Sequence, residues 1–291
     1  MSMATTSTTG TITAADGTTI SYREVGQGPG LVIVHGAMQT GHSQIDLARA
    51  LSTEFTCYLP DRRGRGGSGP AGAAYGIERE VEDLDAVLRA TGARYAVGVS
   101  SGAIITLHTA LARPGALSKA VLFEPPLGLG DVDLGGVLER FDREIAAGRT
   151  AAALVTGMRA ARLAPPLFAA LPRPVQEWLT GLMLKSQDKG GGAEPTFGEL
   201  APTQRQDITL VAEATGDLAK YRPVEVETLL LGGTRSRPHL RAALAGLEGV
   251  LPHARRVELV GLDHGATQNA AQRGRPEQVA AEIRRFLLAA A

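Results

Sequence analysis

The chain has 291 residues, 44% of them hydrophobic, enough to bury one large core, and no apolar run approaches the roughly 18 residues of a membrane span. Lys plus Arg and Asp plus Glu each total 30, so no global field favours nucleic acid or an anionic membrane, and a small-molecule substrate is the expected partner. The one cysteine, Cys57, excludes an intramolecular disulfide and fits a buried, inert thiol in a reducing compartment, so a cytoplasmic location is expected.

Residues 1–10, MSMATTSTTG, carry neither a basic n-region nor an apolar h-region and are expected to form a short disordered leader. TITAADGTTISYREV then alternates apolar and polar residues on both sides of Asp16-Gly17, a dipeptide that accepts positive φ, which predicts an antiparallel edge hairpin. LVIVHG, from Leu31, is continuously apolar and predicts a central parallel strand covered on both faces. Similar runs follow at 55–61, 95–100, 119–125, 228–233 and 255–261. Between them lie helical patterns such as Ile77, Val81, Leu84 and Leu88, and Val279, Ile283, Phe286 and Leu287 after Pro276. This alternation predicts a doubly wound, mostly parallel α/β sheet, with a core over 11–125 and 227–291.

Between Pro126 and Val226 the alternation stops, and a helical cap insertion is expected over 126–226. Helices are predicted at 132–148, 150–163, 173–186 and about 203–219, with a glycine-rich break at Lys189–Gly192. Trp178, Leu167, Leu171, Leu179 and Leu182–Leu184 either line a pocket entrance or pack among these helices.

In open α/β sheets ligands sit beyond the carboxyl ends of the strands. There, Gly98-Val99-Ser100-Ser101-Gly102 fits Gly-x-Ser-x-Gly between a predicted strand and a predicted helix, the context of a nucleophile elbow. Centring the motif on Ser101 would put β-branched Val99 in a crowded turn, so Ser100 is the candidate nucleophile. Ser101 would then offer its backbone N–H to an oxyanion, and Ala37, in the loop after LVIVHG, is the candidate second donor. A base is expected after the last strand, where Leu262-Asp263-His264-Gly265 places His264. His35 is expected to hold its turn by hydrogen bonds, and His108 falls inside a helix.

Gly64, Gly66 and Gly69 spell Gly-x-Gly-x-x-Gly, but no helix follows at once, so a dinucleotide site is not expected. Asp61, Arg62 and Arg63 read as a hydrogen-bonded turn with a solvated charge cluster. No Cys/His cluster has zinc spacing, and no metal or cofactor is implied.

From about Thr11 to its C-terminus the chain resembles an α/β-hydrolase-fold enzyme with a helical cap, carried by VIVHGAM, DRRGRGGSG, GVSSGA and GLDHG in the family's order. The resemblance implies a serine hydrolase acting on an ester, lactone or thioester through an acyl-enzyme. The family's acid usually follows the strand TLLLGG, yet Thr234-Arg235-Ser236-Arg237 holds no carboxylate, and Ser236 stands at that place. Some members carry the acid after the preceding strand, which makes Glu124 the implied triad acid. The fold also hosts non-hydrolytic and carbon–carbon bond-cleaving enzymes, and a catalytically idle binding protein is the alternative from another class.

Overall fold

The computed structural model describes residues 7–128, 131–187 and 194–289. The chain opens on strands β1 (Thr8–Thr13), β2 (Thr19–Gly26) and β3 (Gly30–Val34), then helix α1 (Ile45–Leu51), β4 (Thr56–Pro60), α2 (Ile77–Thr91), β5 (Tyr95–Val99), α3 (Ser101–Ala112) and β6 (Lys119–Phe123). Helices α4 (Leu134–Ala146), α5 (Thr150–Ala160), α6 (Pro166–Ala169), α7 (Arg173–Gln187), α8 (Phe197–Leu200) and α9 (Gln204–Ala214) follow without a strand among the described residues. The chain then returns through β7 (Glu227–Gly233), α10 (Pro238–Glu248), β8 (Ala254–Leu259) and α11 (Pro276–Leu288).

The eight strands form one sheet in the order β1-β2-β4-β3-β5-β6-β7-β8. β1 pairs with β2 and β2 with β4 antiparallel, and every pair from β4 to β8 is parallel. β1 begins inside the segment expected to be a disordered leader: Thr8, Thr9 and Gly10 pair with Glu24, Arg23 and Tyr22. The β1–β2 turn uses Gly17 at φ 84°, with Asp16 accepting from the Thr18 N–H.

The continuously apolar central strands are buried on both faces because helices cover both. Leu31 and Ile33 of β3 join a core with Leu47 and Leu51 of α1 and Ile283 and Phe286 of α11. Val32 and Val34 point the other way, into a core with Leu84 and Leu88 of α2, Ile104 and Leu107 of α3, and Leu244 of α10. That second core runs without a break into the inserted helices through Phe141, Leu210 and Ala214, so the insertion shares the apolar interior of the sheet domain. Cys57 lies in the first core, where burial pushes its thiol up to about 12.

The helix predicted over 203–219 is shorter than expected. α9 ends at Ala214, Gly216 takes φ 130°, and Asp217 caps a separate short turn by accepting from the Ala219 N–H. The glycine-rich break expected at Lys189–Gly192 lies outside the described residues.

Candidate active site

Strand β5 gives way to helix α3 at Ser100, whose φ of 55° lies in a region that non-glycine residues rarely occupy. Two glycines make that turn possible. A Cβ on Gly98 would stand 2.5 Å from the Ala103 Cα, and one on Gly102 would stand 2.2 Å from the Val34 carbonyl oxygen. The Ser100 N–H donates to the Phe123 carbonyl at 2.8 Å, tying the turn to the neighbouring strand. Met38 and Glu124 also take positive φ, so three of the five non-glycine residues with positive φ among the described residues cluster at this sheet edge.

The two serines of the turn have different partners. Ser101 is buried, donates its hydroxyl to Asp207 Oδ1 at 2.8 Å and accepts from Arg62 Nη1 at 3.1 Å. The Ser100 hydroxyl instead lies 3.1 Å from His264 Nε2. His264 is carried by the loop after β8, and its Nδ1 lies 2.7 Å from Glu124 Oε2. With Glu124 accepting from Nδ1–H, the imidazole keeps Nε2 as an acceptor for the serine proton. Glu124 is fully buried; its other oxygen accepts from the Gly233 N–H at 2.7 Å and from the Ser236 hydroxyl at 2.5 Å. Ser236, standing where the family usually carries its acid, is a donor to the carboxylate that comes from β6. Asp263 accepts from the Gly265 N–H and belongs to the turn.

A cavity of about 200 Å³ opens over Ser100, with Ala37, Met38 and Ser101 in its wall. Ser101 is the first residue of α3, where no helical carbonyl reaches the N–H groups. The Ala37 N–H has no acceptor among the described residues. Pro126, Leu134, Met158, Leu163, Ile208 and Val211 supply most of the remaining wall, so the insertion makes the space apolar. Trp178, 62% exposed, and Leu167 line no part of it.

His35 is buried, donates from Nδ1 to the Gly36 carbonyl at 2.8 Å and accepts the Arg62 N–H on Nε2 at 3.1 Å. Burial, and then the Arg65 and Arg62 guanidinium groups, hold its pKa well below the usual histidine range, so it is a neutral brace for the loop that bears Ala37.

The cluster expected to be solvated at Arg62 and Arg63 is instead buried, together with Arg65. Each guanidinium has a carboxylate partner: Arg62 meets Glu80 and Asp207, both at 2.8 Å, Arg63 meets Asp83 at 2.6 Å, and Arg65 meets Asp207 at 2.6 Å. Desolvation would be prohibitive without such pairing. Burial pushes the Asp207 carboxyl up, but Arg65 and Arg62 outweigh it and hold the group below its ordinary value. Asp207 and Ser236 were not singled out as site residues from sequence. One signal for the buried cluster was present: Glu80 and Asp83 share the buried face of α2 with Val81, Leu84 and Val87.

A doubly wound sheet with a strained serine turn, a histidine beyond the last strand and a helical insertion that walls the space over the serine defines the class of α/β hydrolases. The chain belongs to the alpha/beta hydrolase family, whose model matches residues 31–282. It resembles an alpha/beta hydrolase from Sphaerobacter thermophilus DSM 20745, with a TM-score of 0.76, 28% identity, and 96% of this chain and 100% of that one covered. Esterase RhEst1 from Rhodococcus sp. ECU1013 shares the fold at a TM-score of 0.64 and 24% identity, with 96% and 98% covered. A non-heme chloroperoxidase from Streptomyces lividans is 32% identical over 143 residues, 46% of this chain, and the match spans 52% of that relative. Among the described residues no helix is long and apolar enough to cross a membrane.

Proposed function

We propose that this chain is a serine hydrolase that cleaves an ester, lactone or thioester of a small, moderately apolar molecule through an acyl-enzyme. The observation that carries this reading is the line of contacts from the Ser100 hydroxyl to His264 Nε2 at 3.1 Å and from His264 Nδ1 to buried Glu124 at 2.7 Å. Ser100 attacks the carbonyl as Nε2 takes its proton, and Glu124 fixes the tautomer and stabilises the imidazolium that forms. The Ala37 and Ser101 N–H groups receive the developing oxyanion, aided by the positive end of the 12-residue helix α3. His264 then gives its proton to the leaving oxygen or sulfur. Water, deprotonated by the same nitrogen, releases the acid and regenerates Ser100.

The cavity of about 200 Å³ supports a small substrate, because pockets for drug-sized ligands span roughly 300–1,000 Å³. Exposure to a fluorophosphonate followed by peptide mapping tests the mechanism. Stoichiometric labelling at Ser100, lost in Ser100→Ala, is the expected result. A folded wild-type protein that takes no label at Ser100 overturns it.

A further inference from the structure

Around the cavity the polar side chains are almost all committed. Ser100 faces His264, Ser101 is held by Asp207 and Arg62, and both Asp207 oxygens accept from arginines. Gln204, the first residue of α9, is the exception. It is 9% exposed, its Oε1 is buried with no hydrogen-bond partner, and its amide pairs with nothing among the described residues. A buried amide oxygen left unpaired is costly and calls for a partner that the protein itself does not supply.

A second observation shows that space is reserved for this amide. Gly157 lies inside α5 and in the same cavity wall, and glycine weakens a helix interior. A Cβ there would stand 2.3 Å from both Cδ and Oε1 of Gln204 and 2.4 Å from Nε2. The amide therefore lies flat on bare backbone, where its terminal torsion, broad and roughly two-fold, can present either the oxygen or the NH₂ group to the cavity.

Resting on the hydrolase reading above, we infer that the substrate is an oxygenated small ester, whose hydroxyl or carbonyl remote from the scissile bond is received by the Gln204 amide. Apolar walls accept the carbon skeleton and this one amide selects among skeletons of equal size. An analogue lacking the oxygen leaves the amide unpaired, which is the condition under which hydrogen-bonding sites discriminate well.

The test measures binding, so it does not depend on hydrolysis. Dissociation constants of Ser100→Ala are determined by NMR titration for methyl hexanoate and for methyl 3-hydroxy-, 4-oxo- and 5-oxohexanoate. At least one oxygenated ester is expected to bind about tenfold more tightly than methyl hexanoate, the worth of one net hydrogen bond. Adding Gln204→Met, close in shape and apolar, should erase that preference. Gly157→Ala should erase it independently by displacing the amide, and melting curves verify that each variant is folded. Methyl hexanoate binding as well as every oxygenated ester overturns the inference, as does binding of none of the four, or a preference that survives both substitutions and so arises from another group. Fluorophosphonate labelling of the wild type reads the hydrolase mechanism separately, so failure of one is distinguishable from failure of the other.

Discussion

At the carboxyl edge of the sheet, polar groups are set by the backbone of adjacent strands: Ser100 is tied to Phe123, and Glu124 to Leu231 and Gly233. The inserted helices place their one charged wall residue, Asp207, by another route, through ion pairs to Arg62 and Arg65 in a loop of the core. Strand ends are rigid enough to hold groups for chemistry. The helical layer laid over them is joined to the core by these buried ion pairs and by apolar contact through Leu210 and Ala214. The cost of this arrangement is that losing Asp207 leaves buried Arg65 with no carboxylate and Arg62 with Glu80 alone.

The sharpest way to break the comparison is at the sheet edge. Glu124→Gln preserves shape but cannot enforce the Nδ1–H tautomer, and kcat is expected to fall by about 10³–10⁴-fold with the fold intact. Unchanged turnover in steady-state assays would remove Glu124 from the site. On the cap side, Asp207→Asn should lower unfolding free energy by about 3–5 kcal/mol in denaturant titrations, because buried Arg62 and Arg65 lose their shared anion. A loss below about 1 kcal/mol would mean that the cap is held by apolar contact alone.

The junction between the regions titrates. His108 of α3 lies 2.8 Å from the Tyr221 hydroxyl, where the insertion returns to the sheet, and burial lowers its pKa to about 4, with Lys220 adding to the effect. The unfolded chain, with a pKa near 6.5, binds this proton first as pH falls. Stability is therefore complete above pH 6.5 and is lost through the window down to about pH 4, by about 2–3 kcal/mol. His108→Gln should flatten that limb in denaturant titrations at successive pH values; an unaltered limb would assign the acid lability elsewhere. The smallest effect is expected from Ser236→Ala, which removes one donor to the Glu124 carboxylate but leaves the Gly233 N–H, and should cost about tenfold in kcat. No loss at all would make the Ser236 contact incidental.

Much of the sheet edge was readable in the residues because local rules specify it. Apolar runs mark strands buried on two faces, the small residues at 98 and 102 mark the tight turn, and Gly265 beside His264 marks a loop. Glu124 came from resemblance rather than pattern, since a carboxylate before a proline carries no signature of its own. The cap junction was opaque for a physical reason. Arg62 and Asp207 are 145 residues apart, and nothing local in DRRGRGG says whether its charges face water or a distant carboxylate. Gln204 and Gly157 were equally invisible, because the meaning of a glycine inside a helix depends on what another helix lays across it.

Glu124 is followed at once by Pro125, where the chain leaves the sheet, and this makes the two seams of the insertion unequal for anyone recombining such layers between relatives. The downstream seam, at Val226, is separated by the length of β7 from Gly233, whose N–H donates to the Glu124 carboxylate. The upstream seam is covalently adjacent to Glu124 itself, a residue already in a strained conformation with φ 47°. A transplanted cap that pulls on Pro125 will be felt in the orientation of the His264 imidazole before it is felt anywhere in the sheet. A workable graft therefore keeps Glu124 through Pro126 native and absorbs its mismatch at the far seam.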